Sequence, residues 1–277
     1  MRVNGRPRAG KIGRGEAFLP QAERKLSAAI WLRVGEPIQE QYARSTVAAY
    51  EQYAPPAIAN WSRHRRPSRF LQEFARCLPS GARILDYGCG IGTDLAWMRR
   101  QGFTVEGIDG TERFVREARR RCSGARIRLA TFESVRLPRS SFDGVWCQAS
   151  LLHVPPHVLQ QQLHKLRSAM RPLGWLGISL AWGRTHTVTK GDWIPGRYIW
   201  AYSKTQAAGF FAGWSVQQLR VVSHDGRQGR WIHILARPLV EPQKPASPEQ
   251  VSRARAACGS GRRAVSDDVT LMREQAS

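Results

Sequence analysis

The chain has 277 residues, 42% hydrophobic, with ten tryptophans, which is enough for one packed domain with extensions and excludes a wholly disordered chain. Its formal charge is +22, carried mostly between residues 41 and 238 and there almost entirely by arginine; such a surface attracts anions, although a GC-rich coding sequence also enriches arginine. The five cysteines (Cys77, Cys89, Cys122, Cys147, Cys258) form no CxxC pair and no zinc-spaced cluster, and no apolar run approaches about 18 residues, so the expectation is a cytoplasmic protein with free thiols, no metal and no membrane helix.

Residues 1–40 read as a basic, largely disordered extension without the apolar stretch of a secretory signal. From Glu40 to Trp61 a polar and aromatic segment predicts one or two short helices, broken at Pro55-Pro56. Helical spacing of Phe70, Leu71, Phe74 and Leu78 predicts a helix over Ser68–Leu78. Strands and helices then alternate. Strands are expected at Arg83–Asp86, Thr104–Asp109, Arg126–Thr131, Asp143–Gln148 and Trp175–Ala181. Helices are expected at Thr93–Gln101, at Thr111–Cys122 with Thr111 as N-cap, at Pro156–Met170 and at Lys204–Phe211. Ser215–Val222 and Arg230–Ala236 close the domain as a hairpin about His224–Gly229. Residues 41–238 thus form one α/β domain with a parallel sheet covered on both faces, and 239–277 read as a disordered tail.

The chemistry concentrates where the first strand ends. The run Ile84-Leu-Asp-Tyr-Gly-Cys-Gly-Ile-Gly92 places Asp86, Gly88, Cys89, Gly90 and Gly92 between a strand and a helix. Glycine there permits positive φ and lets a ligand approach the backbone, and the following helix N-terminus favours a carboxylate or phosphate. A dinucleotide loop reads G-x-G-x-x-G, but this one reads D-x-G-x-G-x-G. Its early acid would repel a pyrophosphate and accept an ammonium, so the spacing favours an amino-acid-bearing nucleoside such as S-adenosylmethionine. Asp109, nineteen positions beyond Gly90 at the end of the second strand, is placed to accept two ribose hydroxyls.

Together with Ser141-Phe-Asp-Gly-Val-Trp146 and Leu151-Leu-His-Val154, these features resemble the class I, seven-stranded, S-adenosylmethionine-dependent methyltransferase family over about Tyr50–Pro238. Asp143–Pro155, Gly196–Tyr202 and Gly226–Ala236 more narrowly resemble bacterial small-molecule methyltransferases of the tellurite-resistance type. The resemblance implies a three-layer, doubly wound, Rossmann-like fold with strand order 3-2-1-4-5-7-6 and strand seven antiparallel. It implies S-adenosylmethionine as cofactor and S-adenosylhomocysteine as product. Asp86, Gly88, Cys89, Gly90 and Gly92 would line the methionine end, Asp109 the ribose, and Gly110, Thr131 and Phe132 the adenine, with Glu133 an alternative to Thr131. Gln148 and Ala149 would pass beneath the sulfonium.

His153, just past the fourth strand, is the candidate general base, with packing in its loop as the competing role. Tyr50 and Tyr53 of the preceding helical segment, and Trp182, Arg184, Arg197, Tyr198 and Tyr202 of the segment after strand five, are the candidate acceptor-binding residues. A small-molecule acceptor is favoured, in a monomer or dimer that binds no membrane. Three readings stay behind it: an RNA or protein methyltransferase using the basic surface, a non-catalytic cofactor-binding protein and a dehydrogenase. The Asn/Asp-Pro-Pro-aromatic tetrapeptide of amino-group RNA and DNA enzymes is missing from the sequence.

Overall fold

The computed structural model describes residues 37–63, 66–183, 186–188, 193–223 and 229–239. Residues 1–36, Arg184, residues 224–228 and residues 240–277 lie outside the described residues, and the extension expected to reach residue 40 gives way to helix at Pro37. Two helices lead, α1 (Pro37–Gln52) and α2 (Ala54–Ser62), followed by α3 (Arg69–Arg76). Pro55 and Pro56 fall in the first turn of α2, where a missing N–H costs nothing, so they start a helix rather than break one. Ser68 caps α3 by accepting the Leu71 amide at 3.0 Å.

The alternating unit comprises β1 (Arg83–Tyr87), α4 (Thr93–Arg100), β2 (Thr104–Asp109), α5 (Glu112–Arg121), β3 (Arg126–Leu129), β4 (Phe142–Cys147), α6 (Pro156–Ala169) and β5 (Met170–Trp182). It continues through β6 (His186–Val188), β7 (Tyr198–Tyr202), α7 (Lys204–Gly209), β8 (Trp214–Ser223) and β9 (Arg230–Pro238). Strands β1 to β5 pair in parallel in the order 3-2-1-4-5, β9 adds antiparallel to β5, and β8 pairs with β9 at the edge. The expected order holds once β9 and β8 are recognised as its seventh and sixth strands.

The sequence reading missed β6 and β7. β9 occupies one edge of β5 over Leu176–Ala181, and β4 occupies the other as far as Ile178. β7 pairs in parallel with Ala181 and Trp182, so it takes the β4 edge just past the point where β4 stops. β6 then pairs antiparallel with β7. This small extension stands at the carboxyl end of the sheet, where open α/β sheets bind their ligands.

One core buries Leu85, Tyr87, Val145 and Ile178 against α6 through Leu159, Leu163 and Leu166. The other buries Ile84 and Trp146 beneath Phe70, Phe74, Leu95, Met98 and Val115 of α3, α4 and α5. Such a central strand is apolar on both faces, which explains its short unbroken run. Truncating the fully buried Phe74 to alanine would cost about 3–5 kcal/mol. A third, smaller cluster of Ala49, Ala54, Ala57, Ile91, Phe114 and Ile194 fastens α1 and α2 to the glycine loop.

Candidate active site

After β1 the chain turns through Gly88, Gly90 and Gly92, at φ 90°, 51° and 76°. A Cβ on Gly88 would stand 2.3 Å from that of Ser150, and one on Gly92 would stand 2.9 Å from Ala118 of α5, so these two positions close the packing around the turn. At Gly90 the same direction meets only Trp61, at 4.0 Å, which leaves a cradle a Cβ would fill. The Gly88 and Cys89 amides both donate to the Ile108 carbonyl, at 2.8 and 2.9 Å, tying the turn to β2. The Cys89 side chain points into the core, its Sγ 2.9 Å from where a Gly107 Cβ would be, so a cofactor contact at this residue falls to its backbone.

Asp109 ends β2. Its Oδ2 accepts the Gly90 amide at 2.8 Å and its Oδ1 the Thr111 amide at 2.8 Å. The Thr111 hydroxyl bonds the same carboxylate, and with the two amides it uses three of about four acceptor positions, which leaves room there for a ribose hydroxyl. Burial pushes the Asp109 carboxyl up, and these amides pull it back. Thr111 sits at the N-cap of α5 but makes no side-chain cap. Asp86 is buried under the loop, and its Oδ2 has no hydrogen-bond partner among the described residues. Burial first, then Asp94 and Asp109, raise its carboxyl well above the ordinary range. Thr93 Oγ1 is likewise buried and unpartnered. Orphaned polar atoms beneath an open glycine cradle are the pattern of a site built for a polar ligand.

Beyond β3, the Thr131 hydroxyl closes a local turn by donating to Ser134 Oγ at 3.2 Å. Phe132 packs on Tyr87 with centroids 4.6 Å apart, and its ring lies 3.3 Å from the Cβ position of Gly88. Glu133 accepts the Tyr42 hydroxyl at 3.1 Å. Lys165 steadies this loop from α6, donating to the Phe132 carbonyl at 2.6 Å. At the end of β4, Gln148 Oε1 is buried and has no hydrogen-bond partner among the described residues. Ala149 holds φ 50°, and its amide donates to Ser179 Oγ at 2.8 Å. Left-handed backbone at a residue with a Cβ is strained, and such strain collects at functional sites.

Helix α1 lies across these loops. Glu51 caps α5 by accepting the Glu112 amide and pairs with Arg113 at 3.7 Å. Val47 stands 3.1 Å from where a Gly110 Cβ would be, so a side chain there would press against α1. Ser45 donates to the Gly196 carbonyl at 3.0 Å, and Thr46 accepts the Tyr198 amide at 3.2 Å. Sequence reasoning missed Glu51, Ser45, Thr46 and Ser179, because their partners lie far away along the chain.

Tyr50 is the centre of this contact. Its hydroxyl lies 2.8 Å from His153 Nε2 and accepts from Arg197 Nη1 at 3.1 Å, and Arg197 Cζ stands 5.4 Å from its ring centroid. The Tyr50 ring also meets Phe114 and Trp61 edge-on or tilted, at 5.5 and 6.2 Å. His153 Nδ1 lies 2.6 Å from the Tyr198 carbonyl. A carbonyl only accepts, so Nδ1 carries the proton and Nε2 accepts from Tyr50 in the neutral ring. Burial lowers the His153 pKa from 6.5 to about 4, and Arg197 pushes the same way.

The remaining expected acceptor residues separate. Tyr53 is the N-cap of α2 and packs in the small cluster with Ala54. Trp182 is 39% exposed and lies under Arg230 Cζ at 4.2 Å, away from the Tyr50 network. Tyr198, Trp200 and Tyr202 share one face of β7. That face packs on the core and on Tyr42, so Tyr198 reaches His153 through its backbone and Tyr202 is a core residue beside Phe210. Of the expected set, the structure joins Tyr50, His153 and Arg197.

Residues 84–174 match the family model described as a methyltransferase domain. That match covers about a third of the chain and marks the segment from β1 into β5 as similar to a methyltransferase domain. It is 31% identical over 107 residues to the methyltransferase GfsG of Streptomyces halstedii, covering 36% of this chain and 38% of that protein. It is 38% identical over 94 residues to the ubiquinone biosynthesis O-methyltransferase of Xanthomonas axonopodis pv. citri, covering 32% of this chain and 39% of the relative. The chain thus matches about two fifths of the length of these relatives. The fold is similar to that of the 1,6-didemethyltoxoflavin-N1-methyltransferase of Burkholderia thailandensis, solved with its substrate and S-adenosylhomocysteine. The two share a TM-score of 0.59 and 18% identity, over 74% of this chain and 93% of the other. The shared domain puts the glycine loop, Asp109 and the β4 loop inside the matched segment, and α1, Tyr50 and Arg197 outside it. No described helix is long and apolar enough to cross a membrane.

Proposed function

We propose that this chain transfers a methyl group from S-adenosylmethionine to a small-molecule acceptor, acting in the cytoplasm. The observation that carries the reading is the paired grip of Asp109 on Gly90 and Thr111, which presents a carboxylate beside an open glycine cradle. Asp109 would hold the ribose, Gly90 and Asp86 the methionine end, and Gly110 and Phe132 would flank the adenine. Gln148 and Ala149 would face the sulfonium. When bound, the cofactor supplies an already activated methyl group for in-line displacement. The chain's own task is to align the nucleophile and exclude water.

The buried Asp86 carboxyl suits a cationic ligand, because an ammonium nearby would offset the cost of charging it. A small acceptor is supported by the way α1 and α2 close over the loops through the Ala49, Ala54, Ala57, Ile91, Phe114 and Ile194 cluster. That cover suits an enclosed pocket and obstructs a long polymer.

The test has two stages. Calorimetry with S-adenosylhomocysteine should show binding that Asp109→Ala abolishes; NAD binding in its place would sink the reading. A radiolabelled methyl assay on a bacterial lysate, split into small molecules, RNA and protein, should place label in the small-molecule fraction. Label in RNA or protein would move the assignment to the basic surface.

A further inference from the structure

We infer that the arginine-lined cleft between the C-terminal ends of α4 and α5 binds a small polyphosphate, either pyrophosphate or the phosphate chain of a nucleotide, at a place separate from the methyl-transfer centre. The site accounts for positive charge that the glycine loop, Asp109 and the β4 loop do not use, and it does not depend on the methyltransferase reading.

Gly92, the N-cap of α4, lies so close to α5 that a Cβ there would stand 2.9 Å from Ala118. Toward their C-termini the two helices part. A cavity of about 370 Å³ opens there between Ala96, Arg99 and Arg100 of α4 and Arg121 and Cys122 at the end of α5. Positions 96, 99 and 100 are three and four residues apart, so they share one face of α4, and the small Ala96 leaves the floor open. Each helix leads into the start of the next strand, at Thr104 and Arg126, so the cleft stands at the amino edge of the sheet. The glycine loop and Asp109 stand at the carboxyl ends of the strands, about 12 Å away along α4.

Neutral groups orient most of the guanidiniums here. Arg99 donates to the Ser123 carbonyl. Arg119 donates to the Ile127 carbonyl through Nε at 3.2 Å and Nη2 at 2.8 Å. Arg121 donates to Ser62 Oγ and shares Glu117 with Arg120. Arg100 is exposed, and among the described residues no acid pairs with it. Along the outer face of α5 the pattern reverses: Arg113 pairs with Glu51 and Arg116 with Glu112. Acids offset that face, so uncompensated charge gathers at the cleft.

The two helix ends oppose an anion there, with about half a negative charge each. Against them and Glu117 stand the full charges of Arg99, Arg100, Arg119, Arg120 and Arg121, so the cleft stays positive. Burial raises the Cys122 thiol, and Arg99 and Arg100 pull it back, which shows their field reaching into the cleft. Guanidinium forks match phosphate oxygens two at a time. Several forks around one cavity exceed what a single carboxylate satisfies, whereas linked phosphates supply both the charge and the oxygens. RNA fits less well, because a strand of phosphates follows a continuous basic groove, and the acid-paired Arg113 and Arg116 interrupt one.

Calorimetry on the full chain at physiological ionic strength tests the site with sodium pyrophosphate, ATP and sodium sulfate. Pyrophosphate should bind with one-to-one stoichiometry. Arg99→Gln with Arg100→Gln should weaken it roughly tenfold or more, because charge-assisted contacts are lost. Arg116→Gln with Arg139→Gln removes the same charge outside the cleft and should change affinity by less than about twofold. All of these arginines are exposed, so both variants should fold as the wild type does. ATP binding tighter than pyrophosphate names a nucleotide as the source of the phosphates, and equal affinity names the inorganic anion; either result supports the site.

Absent pyrophosphate binding, or equal weakening in the two variant pairs, overturns the proposal. Sulfate binding as tight as that of pyrophosphate overturns the polyphosphate class. Displacement of pyrophosphate by S-adenosylhomocysteine would put the anion at the glycine loop and overturn the separate site. A single-stranded RNA that displaces pyrophosphate at lower concentration than ATP does would give the cleft to nucleic acid and overturn the small-ligand assignment. Pyrophosphate binding by a chain that takes no S-adenosylhomocysteine would sink the methyltransferase reading and still support this site.

Discussion

The Oδ2 oxygen of Asp109 accepts the backbone amide of Gly90 at 2.8 Å, so the acid that ends one strand sets the turn that ends its neighbour. The other oxygen accepts Thr111, and both therefore face N–H donors. This distinguishes two substitutions that look alike. Asp109→Asn turns one acceptor into a donor that must face an amide N–H, so it should be as damaging as Asp109→Ala. Either should cost about 1–3 kcal/mol of stability from lost charge-assisted hydrogen bonds. Both should weaken S-adenosylhomocysteine at least tenfold by calorimetry. An asparagine variant with near wild-type affinity would contradict the double grip.

Glu51 gives a second prediction, located on the covering helix. It caps α5 from a helix 61 positions earlier in the chain. Removing a capping acceptor costs about 1 kcal/mol. Glu51→Ala should therefore lower the thermal midpoint modestly and speed hydrogen exchange in α1 and the first turn of α5 together. Glu51→Gln should recover part of the loss, since the amide oxygen still accepts. Exchange that rises in α5 alone would show that the cap does not fasten the cover.

Much of this was legible in sequence because it is local. Asp86, the three glycines and Asp109 carry their spacing on one strand–turn–helix–strand unit, and β1 to β5 show as short apolar or alternating runs. What failed was non-local. β7 has an alternating aromatic pattern, Tyr198, Trp200 and Tyr202, that reads as a pocket wall. The structure instead turns that face to the core and uses the Tyr198 backbone to hold His153. Trp182 reads as a pocket residue for the same reason, and it lies under Arg230 at the sheet. Composition describes a lining, but strand pairing decides which side faces it. Cys89 shows the same limit within the motif, where the side chain points into the core beside Gly107.

Ala149 supplies a third prediction from strain. Its φ of 50° suits glycine and costs an L-residue about 1–2 kcal/mol, against roughly 0.5–1 kcal/mol of extra chain entropy lost by glycine on folding. Ala149→Gly should then be neutral to slightly stabilising in thermal unfolding, and Ala149→Val should be clearly destabilising. If the strained backbone also fixes the β4 loop for catalysis, the glycine variant should lose methyl-transfer rate while gaining midpoint. A variant that loses both stability and rate would mean that the methyl group packs productively.

The last prediction concerns pH. Burial lowers the His153 pKa from 6.5 to about 4. Between those values the unfolded chain binds a proton that the folded chain refuses, so this group's contribution to stability is complete above pH 6.5 and is lost as pH falls toward 4. Two and a half pH units at about 1.4 kcal/mol each set the contribution at about 3–4 kcal/mol. Buried acids act in the opposite sense. Asp86 and Asp109 hold their protons more readily when folded, so each adds stability as pH falls. The wild-type curve alone therefore cannot isolate His153, and the difference between wild type and His153→Leu can. Chemical denaturation at pH 7.5 should show the variant less stable, because the Tyr50 and Tyr198 contacts are lost. That gap should narrow steadily between pH 6.5 and 4, because the variant has no proton to refuse. A gap that stays constant over that range would mean that His153 titrates normally in the folded protein, and that Tyr50 does not hold it neutral.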